Sequence, residues 1–483
     1  MSLFKNSSHF ETSQISILTF VFCFIIFQPA FSANKIIFPW RAASHIVKQG
    51  DKFELLLKHD GSAPIDSVIL NGPYTRAVCE IISSTAGSFV YDQFTQEAAN
   101  LKISAAVPDG TPEDMYDLYV YAGDQVSVSK RSLKVVRVYK SQYTLLQITD
   151  THISRNWTGT SDNGHAEELI LMDKLVEVIN IIGPDLVINT GDCIMDYTRF
   201  NPAPDGWGGS KVRGINDKPH IDEKWNNYYE GSKGLKGIQA INALTFSLPG
   251  NHDFYGVTSD LDRSKQWNEN CGLRVYGFTY GDTRYLMADD NLGDQNEYSN
   301  VFVPYLRNVG SGKLRVVGHH VGGKRNLDFL NTHSVNLELY GHAHDPKEET
   351  IGTTPTISMR AGGATRTDWH HYNETTGWYR IIWIDKGIIT WSPALQFSTD
   401  PNKPHNEIEN MLTLDYLSPT EVSIKNKYNI DLPAAKVRFV LPKGLYVPNI
   451  GYVEQSFDND TSTIIDVRVD LAKQSTTNIR VSK

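Results

Sequence analysis

The feature that most constrains this chain is a series of apolar, strand-like runs that each stop at residues able to bind a metal ion. The runs lie in the middle of the sequence and read LLQITDTH, LVINTGD, LTFSLPGNHD, LRVVGHH and LELYGHAH. They end, in order, at Asp150 and His152, at Asp192, at Asn251 and His252, at His319 and His320, and at His342 and His344. In an open α/β sheet, ligands bind beyond the carboxyl ends of the strands, so these ends are expected to meet in one crevice.

The local spacing supports such a crevice. Asp150 and His152 are two residues apart, as are His342 and His344, so each pair places both side chains on one side of an extended segment. Glycines lie just before several of these residues. Because glycine has no side chain, the backbone can turn there and neighbouring segments can pack closely. These glycines are Gly191, Gly250, Gly318 and Gly341.

Carboxylate, imidazole and amide groups without a thiolate suit Mn, Fe or Zn. The candidates exceed what one ion requires, so we expect two divalent ions, with the two oxygens of Asp192 available to bridge them. A single histidine of this kind is more often a hydrogen-bonded core or surface residue. The joint pattern of five strand ends is what favours a metal centre.

The blocks DTH, GD, GNHD, GHH and GHAH occur in this order and resemble the calcineurin-like metallophosphoesterase superfamily over roughly residues 142–392. The resemblance implies an α/β (α+β) sandwich of two sheets flanked by helices. It also implies a set of metal ligands: Asp150, His152 and His344 for one ion, Asn251, His319 and His342 for the second, and Asp192 as the bridge. Finally, it implies that His252 contacts phosphate or protonates the leaving group and that Asp253 orients His252.

The sequence does not decide the identity of one metal ligand. The stretch VVGHHVGG offers two adjacent histidines where the family commonly shows H-x-P. We prefer His319, because it aligns with the first histidine of that block, and this leaves His320 as a neighbour of the ligands or of the substrate.

The rest of the chain is predicted to form further domains. Residues 1–33 contain an apolar run, Ile15–Phe27, followed by small residues, which is typical of a signal peptide, with an N-terminal anchor as the alternative. Short β-runs predict an immunoglobulin-like or fibronectin-like β-sandwich over residues 34–139 and a small β-domain over 394–483. Between them, residues 140–393 form the predicted phosphoesterase domain. Its first helix follows from the 3-4 spacing of Leu169, Met172, Leu175, Val176 and Ile179, and Gly183-Pro184 should end it.

Composition limits the kinds of binding partner and the cellular compartment that we expect for this protein. A formal net charge of −9 and a pI near 5.9 argue against general nucleic-acid binding. No later segment is long and apolar enough to be a transmembrane helix, so we expect a secreted or periplasmic protein after signal cleavage. Removal of the signal peptide leaves Cys79, Cys193 and Cys271, an odd number that leaves at least one thiol free or paired between chains. The oligomeric state is open.

Together these features predict a secreted hydrolase that cleaves phosphoesters by in-line attack of a metal-bridging hydroxide. The expected substrates are small phosphodiesters of the nucleotide or phospholipid-headgroup type. The alternatives are a phosphomonoesterase (a phosphatase or nucleotidase) and a non-catalytic binding module on the same scaffold. Two stretches without periodicity could wall the site or merely cover the domain. They are Phe200–His220, with Trp207, Lys211 and Arg213, and the stretch after the last motif, with Arg366, Trp369, His370 and His371.

Overall fold

The structure of the chain is a computed structural model that describes most of the sequence beyond residue 33. The described residues are 34–90, 98–153, 164–194, 198–200, 211–216, 218–254, 260–289, 291, 302–306, 314–322, 327–359, 377–398 and 409–483. The predicted signal peptide therefore lies outside the described residues. Among the helices that the structure describes, none combines the length and apolarity needed to cross a membrane.

The first part of the chain is built from β-strands alone in its described residues. The strands are β1 (Lys35–Phe38), β2 (His45–Lys48), β3 (Lys52–Lys58), β4 (Ser67–Asn71), β5 (Arg76–Phe89), β6 (Ala99–Ala106), β7 (Met115–Ala122) and β8 (Gln125–Val136). They form one sheet in the order β1-β3-β6-β5-β4-β7-β8-β2. Side chains from both halves of that order, such as Leu55 and Leu118, share one buried cluster. The sheet therefore folds back on itself around its own core.

In its described residues, the central part contains two six-stranded sheets, two short hairpins and several helices. Its strands are β9 (Gln142–Ile148), β10 (Leu186–Asn189), β11 (Thr198–Phe200), β12 (Lys211–Asn216), β13 (Gly231–Ser232), β14 (Leu235–Lys236), β15 (Leu244–Ser247), β16 (Tyr276–Tyr280), β17 (Thr283–Met287), β18 (Leu314–Gly318), β19 (Leu337–Tyr340), β20 (Glu348–Ile351), β21 (Thr354–Ser358), β22 (Trp378–Asp385), β23 (Ile388–Trp391) and β24 (Leu395–Gln396). Its helices are α1 (Gly164–Ile182), α2 (Lys218–Glu230), α3 (Asp260–Asn270) and α4 (Leu327–Thr332).

The two large sheets pack face to face. The first has the order β15-β10-β9-β22-β23, with β24 also paired to β22, and the second has the order β16-β17-β18-β19-β21-β20. Strands β9, β10 and β15 run parallel to one another, as do β17, β18, β19 and β21. Leu145 on β9, Ile188 on β10, Val316 on β18 and Leu339 on β19 belong to one buried cluster, which fills the space between the sheets.

The outer faces of both sheets are covered by helices, which explains why the strands are apolar along their whole length. On β9 and β10, the alternate residues Leu146 and Val187 join a second buried cluster that contains Leu175 of α1. On β18, Val317 joins a third cluster with Phe329 of α4. The predicted arrangement of two sheets flanked by helices is confirmed.

Helix α1 ends where the sequence predicts. It ends before Gly183, whose φ of 61° is the left-handed conformation that glycine adopts most easily. The Gly183 N–H donates to Ile179 O at 2.8 Å, which closes the last turn, and Pro184 prevents a further one.

The last part of the chain is again all β in its described residues. Its strands are β25 (Leu412–Ser418), β26 (Glu421–Asn426), β27 (Leu432–Pro442), β28 (Val447–Pro448), β29 (Tyr452–Asp458), β30 (Ser462–Leu471) and β31 (Ser475–Ser482). They form two sheets with the orders β25-β26-β31-β28 and β27-β30-β29. Ile424 and Val437 belong to the same buried cluster as α1, so this part packs on the central fold.

A buried polar junction joins the central and C-terminal parts. Lys140 Nζ lies 2.8 Å from Asp185 Oδ1 and 2.9 Å from Glu454 Oε1. Arg468 donates to Glu454 Oε2 at 2.9 Å and to Gly183 O at 2.6 Å. Burial by itself raises the pKa of Glu454, but the neighbouring cations, first among them Arg468, outweigh it and hold this pKa well below its usual value.

Candidate metal centre

The predicted strand ends meet at one edge of the two sheets. Strand β9 leads to Asp150 and His152, and β10 leads to Asp192. Backbone hydrogen bonds join these ends, from Asp150 N to Gly191 O and from His152 N to Asp192 O, both at 2.9 Å. Strands β15, β18 and β19 bring Asn251, His320 and His342 to the same edge, because parallel strands end on the same side of a sheet.

One group of possible metal ligands consists of Asp150, His152 and His344, whose ligand atoms lie within 4.8 Å of one another. His344 Nε2 lies 3.1 Å from Asp150 Oδ1, and His152 Nε2 lies 4.0 Å from the same oxygen. Burial by itself raises the pKa of Asp150, but His344 outweighs it and lowers this pKa to about 2. Burial lowers the pKa of His152, so its imidazole is neutral, which is the state that binds a cation.

A second group consists of Asp192, His320 and His342, again with ligand atoms within 4.8 Å of one another. His320 Nε2 lies 3.0 Å from Asn251 Oδ1, so the amide belongs to this group. His320 Nδ1 lies 2.8 Å from Thr190 O. Because a carbonyl accepts, Nδ1 carries the proton and Nε2 presents its lone pair, as in histidines that bind metals.

Asp192 stands between the two groups. Its Oδ2 lies 3.3 Å from His152 Nε2 and 3.0 Å from His320 Nε2, while its Oδ1 accepts the His252 N–H at 2.7 Å. Burial by itself raises the pKa of this carboxyl, but the surrounding imidazoles, first among them His320, hold it well below its usual value. This is the position that a bridging carboxylate requires.

The backbone is strained where these side chains leave their strands. Asp150, His152, Asp192, His342 and His344 have φ values of 52°, 47°, 52°, 66° and 50°. Residues other than glycine rarely adopt this left-handed conformation, which costs on the order of 1–3 kcal/mol each and is concentrated at functional sites. The rest of the fold therefore offsets a local cost in order to aim these side chains.

Two of the predicted glycines make room for the carboxylates. A Cβ at Gly250 would collide with the side chain of Asp192, and one at Gly341 would collide with Thr149 and lie 2.6 Å from Asp150 Oδ2. Any larger residue at either position would push a carboxylate out of place.

His320 rather than His319 lies in the cluster. His319 lies two residues after Val317 and therefore points to the same face of the sheet, the outer face that packs against α4. On that face, His319 Nδ1 lies 3.0 Å from Glu338 Oε1. Successive side chains on a strand point to opposite faces, so His320 points to the crevice. The preference for His319 as ligand is corrected, because sequence alone does not show which face the strand turns inward.

His252 lies at the border of the centre. Its ring meets the ring of His152 edge-on, with centroids 4.9 Å apart and an interplanar angle of 87°. The residue is partly exposed, whereas His152 is fully buried. His252 can therefore face both the crevice and a bound substrate.

The Asp253 carboxylate, which is predicted to orient His252, contacts the backbone of the turn that carries His252. It accepts backbone N–H groups from Gly250 at 2.8 Å and from Ile194 at 3.0 Å. Burial, together with the charge of Asp192, raises the pKa of this carboxyl to about 7. Asp253 thus ties the turn that carries His252 to the segment that carries Asp192.

The donor set fits divalent cations. The atoms facing one another include the oxygens of Asp150, Asp192 and Asn251 and the Nε2 lone pair of His320. Acceptors packed at these distances repel one another unless positive charge lies between them. The residues present therefore suit divalent metal ions.

The predicted substrate walls are only partly described. Trp207, and the rim residues Arg366, Trp369, His370 and His371, lie outside the described residues. Within Phe200–His220, the segment Lys211–Asn216 is a strand that pairs with Thr198–Phe200. This stretch therefore contains regular structure that its lack of sequence periodicity did not predict.

The chain was compared with known proteins. A search of the curated proteins found no match. Among solved structures, a putative 5′-nucleotidase from Staphylococcus aureus is similar at 15% identity and a TM-score of 0.33, with 52% of this chain and 53% of that chain covered. An archaeal phosphodiesterase is similar at 13% identity and a TM-score of 0.26, with coverage of 52% and 99%. A predicted phosphoesterase from Streptococcus pneumoniae is similar at 14% identity and a TM-score of 0.25, with coverage of 53% and 90%.

The family comparison concerns the central part of the chain. Residues 143–346 match the model of the calcineurin-like phosphoesterase family. This range begins in β9, which leads to Asp150, and ends just after His344, so it contains every residue of the two ligand groups. Residues 143–346 of this chain are therefore similar to calcineurin-like phosphoesterase domains.

Proposed function

We propose that this protein is a hydrolase of phosphoester bonds that works with two divalent metal ions at the centre described above. The observation that carries the proposal is the position of Asp192, whose carboxylate lies within 3.3 Å of an imidazole from each ligand group. A shared carboxylate is what a two-metal site requires, and such sites serve phosphoryl transfer.

The residues divide into two ligand sets. Asp150, His152 and His344 would hold one ion, and Asn251, His320 and His342 would hold the other, with Asp192 between them. When bound, the two ions would supply hydroxide near neutral pH and neutralise the phosphate oxygens. Their identity is proposed as Mn, Fe or Zn, because the set contains oxygen and imidazole ligands without thiolate.

His252 is the proposed general acid. It is partly exposed beside the buried centre, and its backbone N–H is fixed by Asp192 Oδ1. Because imidazole can give up a proton near neutral pH, His252 is suited to protonate the leaving alkoxide. No side-chain nucleophile is required, so the proposed reaction is direct hydrolysis.

We place the protein outside the cytoplasm and assign its substrates to the small phosphodiesters. Support for secretion comes from the apolar run Ile15–Phe27 within residues 1–33. The proposed flanking units are a β-sandwich over 34–139 and a β-domain over 394–483, on either side of the phosphoesterase domain at 140–393.

The preference for diesters predicts a ratio of rates. A diester carries an organic group on both sides of phosphorus and has one charge less than a monoester. We therefore expect kcat/KM for bis-p-nitrophenyl phosphate to equal or exceed that for p-nitrophenyl phosphate, both measured with the Mn²⁺-loaded chain. A preference for the monoester of about 100-fold or more would assign the protein to the phosphatases instead.

A further inference from the structure

His319, which the sequence motif favours as a ligand, contacts a carboxylate on the neighbouring strand instead. His319 Nδ1 lies 3.0 Å from Glu338 Oε1, and both side chains are fully buried. The rings of Phe302 and Phe329 each lie 6.3 Å from the His319 ring. The His319–Glu338 pair therefore sits in an apolar cluster, where well-packed apolar residues would often serve stability at least as well.

The pair joins the two strands that carry imidazoles of the second ligand group. His319 directly precedes His320, and Glu338 lies on β19, which leads to His342. The strands are parallel, with Val317 opposite Glu338 and Gly318 opposite Leu339. Beyond the ladder, His319 N donates to Leu339 O at 2.9 Å and Gly341 N donates to His320 O at 3.0 Å.

Two adjacent imidazoles leave the register of this strand end ambiguous. A shift of one residue would turn His320 outward and His319 inward, because side chains alternate between the two faces. Either imidazole is chemically able to bind a metal ion. Side-chain contacts distinguish them: His320 Nδ1 lies 2.8 Å from Thr190 O on the inner face, and His319 Nδ1 lies 3.0 Å from Glu338 Oε1 on the outer face.

We propose that Glu338 is a positioning residue that holds His319 on the outer face and thereby selects His320 as the metal-binding imidazole. The inference rests on the proposed function, since it concerns the second of the two proposed ions. The sequence carries a corresponding signal in LELY, where Glu338 is a carboxylate within an otherwise apolar, fully buried strand.

The test is titration of the metal-stripped chain with Mn²⁺ alone, followed by calorimetry and by electron paramagnetic resonance. We expect the wild type to bind two ions that give the spectrum of a coupled pair. Glu338→Leu should keep the ion held by Asp150, His152 and His344 and weaken the other about 10–100-fold, the range typical for loss of a residue that orients a metal site from outside the ligand set. Its spectrum should be that of an isolated Mn²⁺ ion.

Two further variants separate positioning from general destabilisation. Glu349→Leu changes an exposed glutamate on β20 of the same sheet, and both ions should bind as in the wild type. In the double variant His319→Leu/Glu338→Leu, the competing imidazole is gone and two apolar side chains fill the outer face. This variant should recover the second ion and the coupled spectrum.

The outcomes distinguish this inference from the proposed function. A Glu338→Leu chain that binds two ions with unchanged affinity would overturn the selecting role and leave the two-metal hydrolase intact. Equal weakening of both ions, or a double variant without the second ion, would also overturn it. A wild-type chain that binds no Mn²⁺ would overturn the proposed function itself, and the role of Glu338 with it.

Discussion

Asp192→Ala is expected to release both metal ions and to reduce kcat/KM for bis-p-nitrophenyl phosphate by about 10³-fold or more, since each ion contributes several kcal/mol to the transition state. The reason is that the Asp192 carboxylate contacts an imidazole of each ligand group. Its other oxygen also accepts the His252 N–H, so the general acid loses its anchor. Metal content by mass spectrometry and steady-state rates measure both effects.

Asp124→Ala provides the control for this change. Asp124 is an exposed aspartate in the turn between β7 and β8, remote in sequence from every ligand. The control should keep two ions and the wild-type rate. An Asp192→Ala chain that retains both ions and most of its activity would show that the bridge lies elsewhere.

His252→Ala should separate chemistry from metal binding. This variant should keep both ions, because all proposed ligands remain, and should lose about 10²–10⁴-fold in kcat for diesters with poorly leaving alcohols. For bis-p-nitrophenyl phosphate the loss should be much smaller, since p-nitrophenolate departs without protonation. The measurement is the dependence of kcat on the leaving-group pKa over a series of phenyl and alkyl diesters. Equal losses across that series would exclude an acid role.

Much of the centre could be predicted because ligand-type residues directly follow apolar strands. That pattern is local, and the carboxyl ends of parallel strands meet by geometry, so Asp150, Asp192 and His342 could be placed without coordinates. The same holds for helix α1, whose 3-4 spacing and Gly183-Pro184 stop are both visible in the sequence.

The remaining features depend on contacts distant in sequence. The choice between His319 and His320 depends on Glu338 and on which face of β18 turns outward, and neither is a property of the strand itself. Asp253 also accepts a hydrogen bond from the backbone of Ile194, 59 residues away in the chain, which sequence could not show. The sequence therefore predicts which strand end contributes a histidine, but it does not show which of the two adjacent histidines faces the centre.

Helix α2 is a second feature that the sequence did not predict. Its apolar residues Ile221, Trp225, Tyr228 and Tyr229 follow helical spacing and are buried, yet the helix begins at Lys218, inside a stretch without periodicity. Its position is set by tertiary contacts such as the hydrogen bond that the Asn189 amide donates to the Tyr228 hydroxyl at 2.9 Å. Tertiary contacts of this kind are not visible in the sequence.

Two divalent ions at one shared centre are proposed to carry out the reaction. This proposal is tested most directly by measuring the metal content of the purified wild-type chain while its hydrolysis of bis-p-nitrophenyl phosphate is followed through chelation and reloading. We expect about two ions per chain, loss of activity in step with their removal, and recovery when Mn²⁺ is returned. A metal-free chain that hydrolyses the diester at the full rate would contradict it.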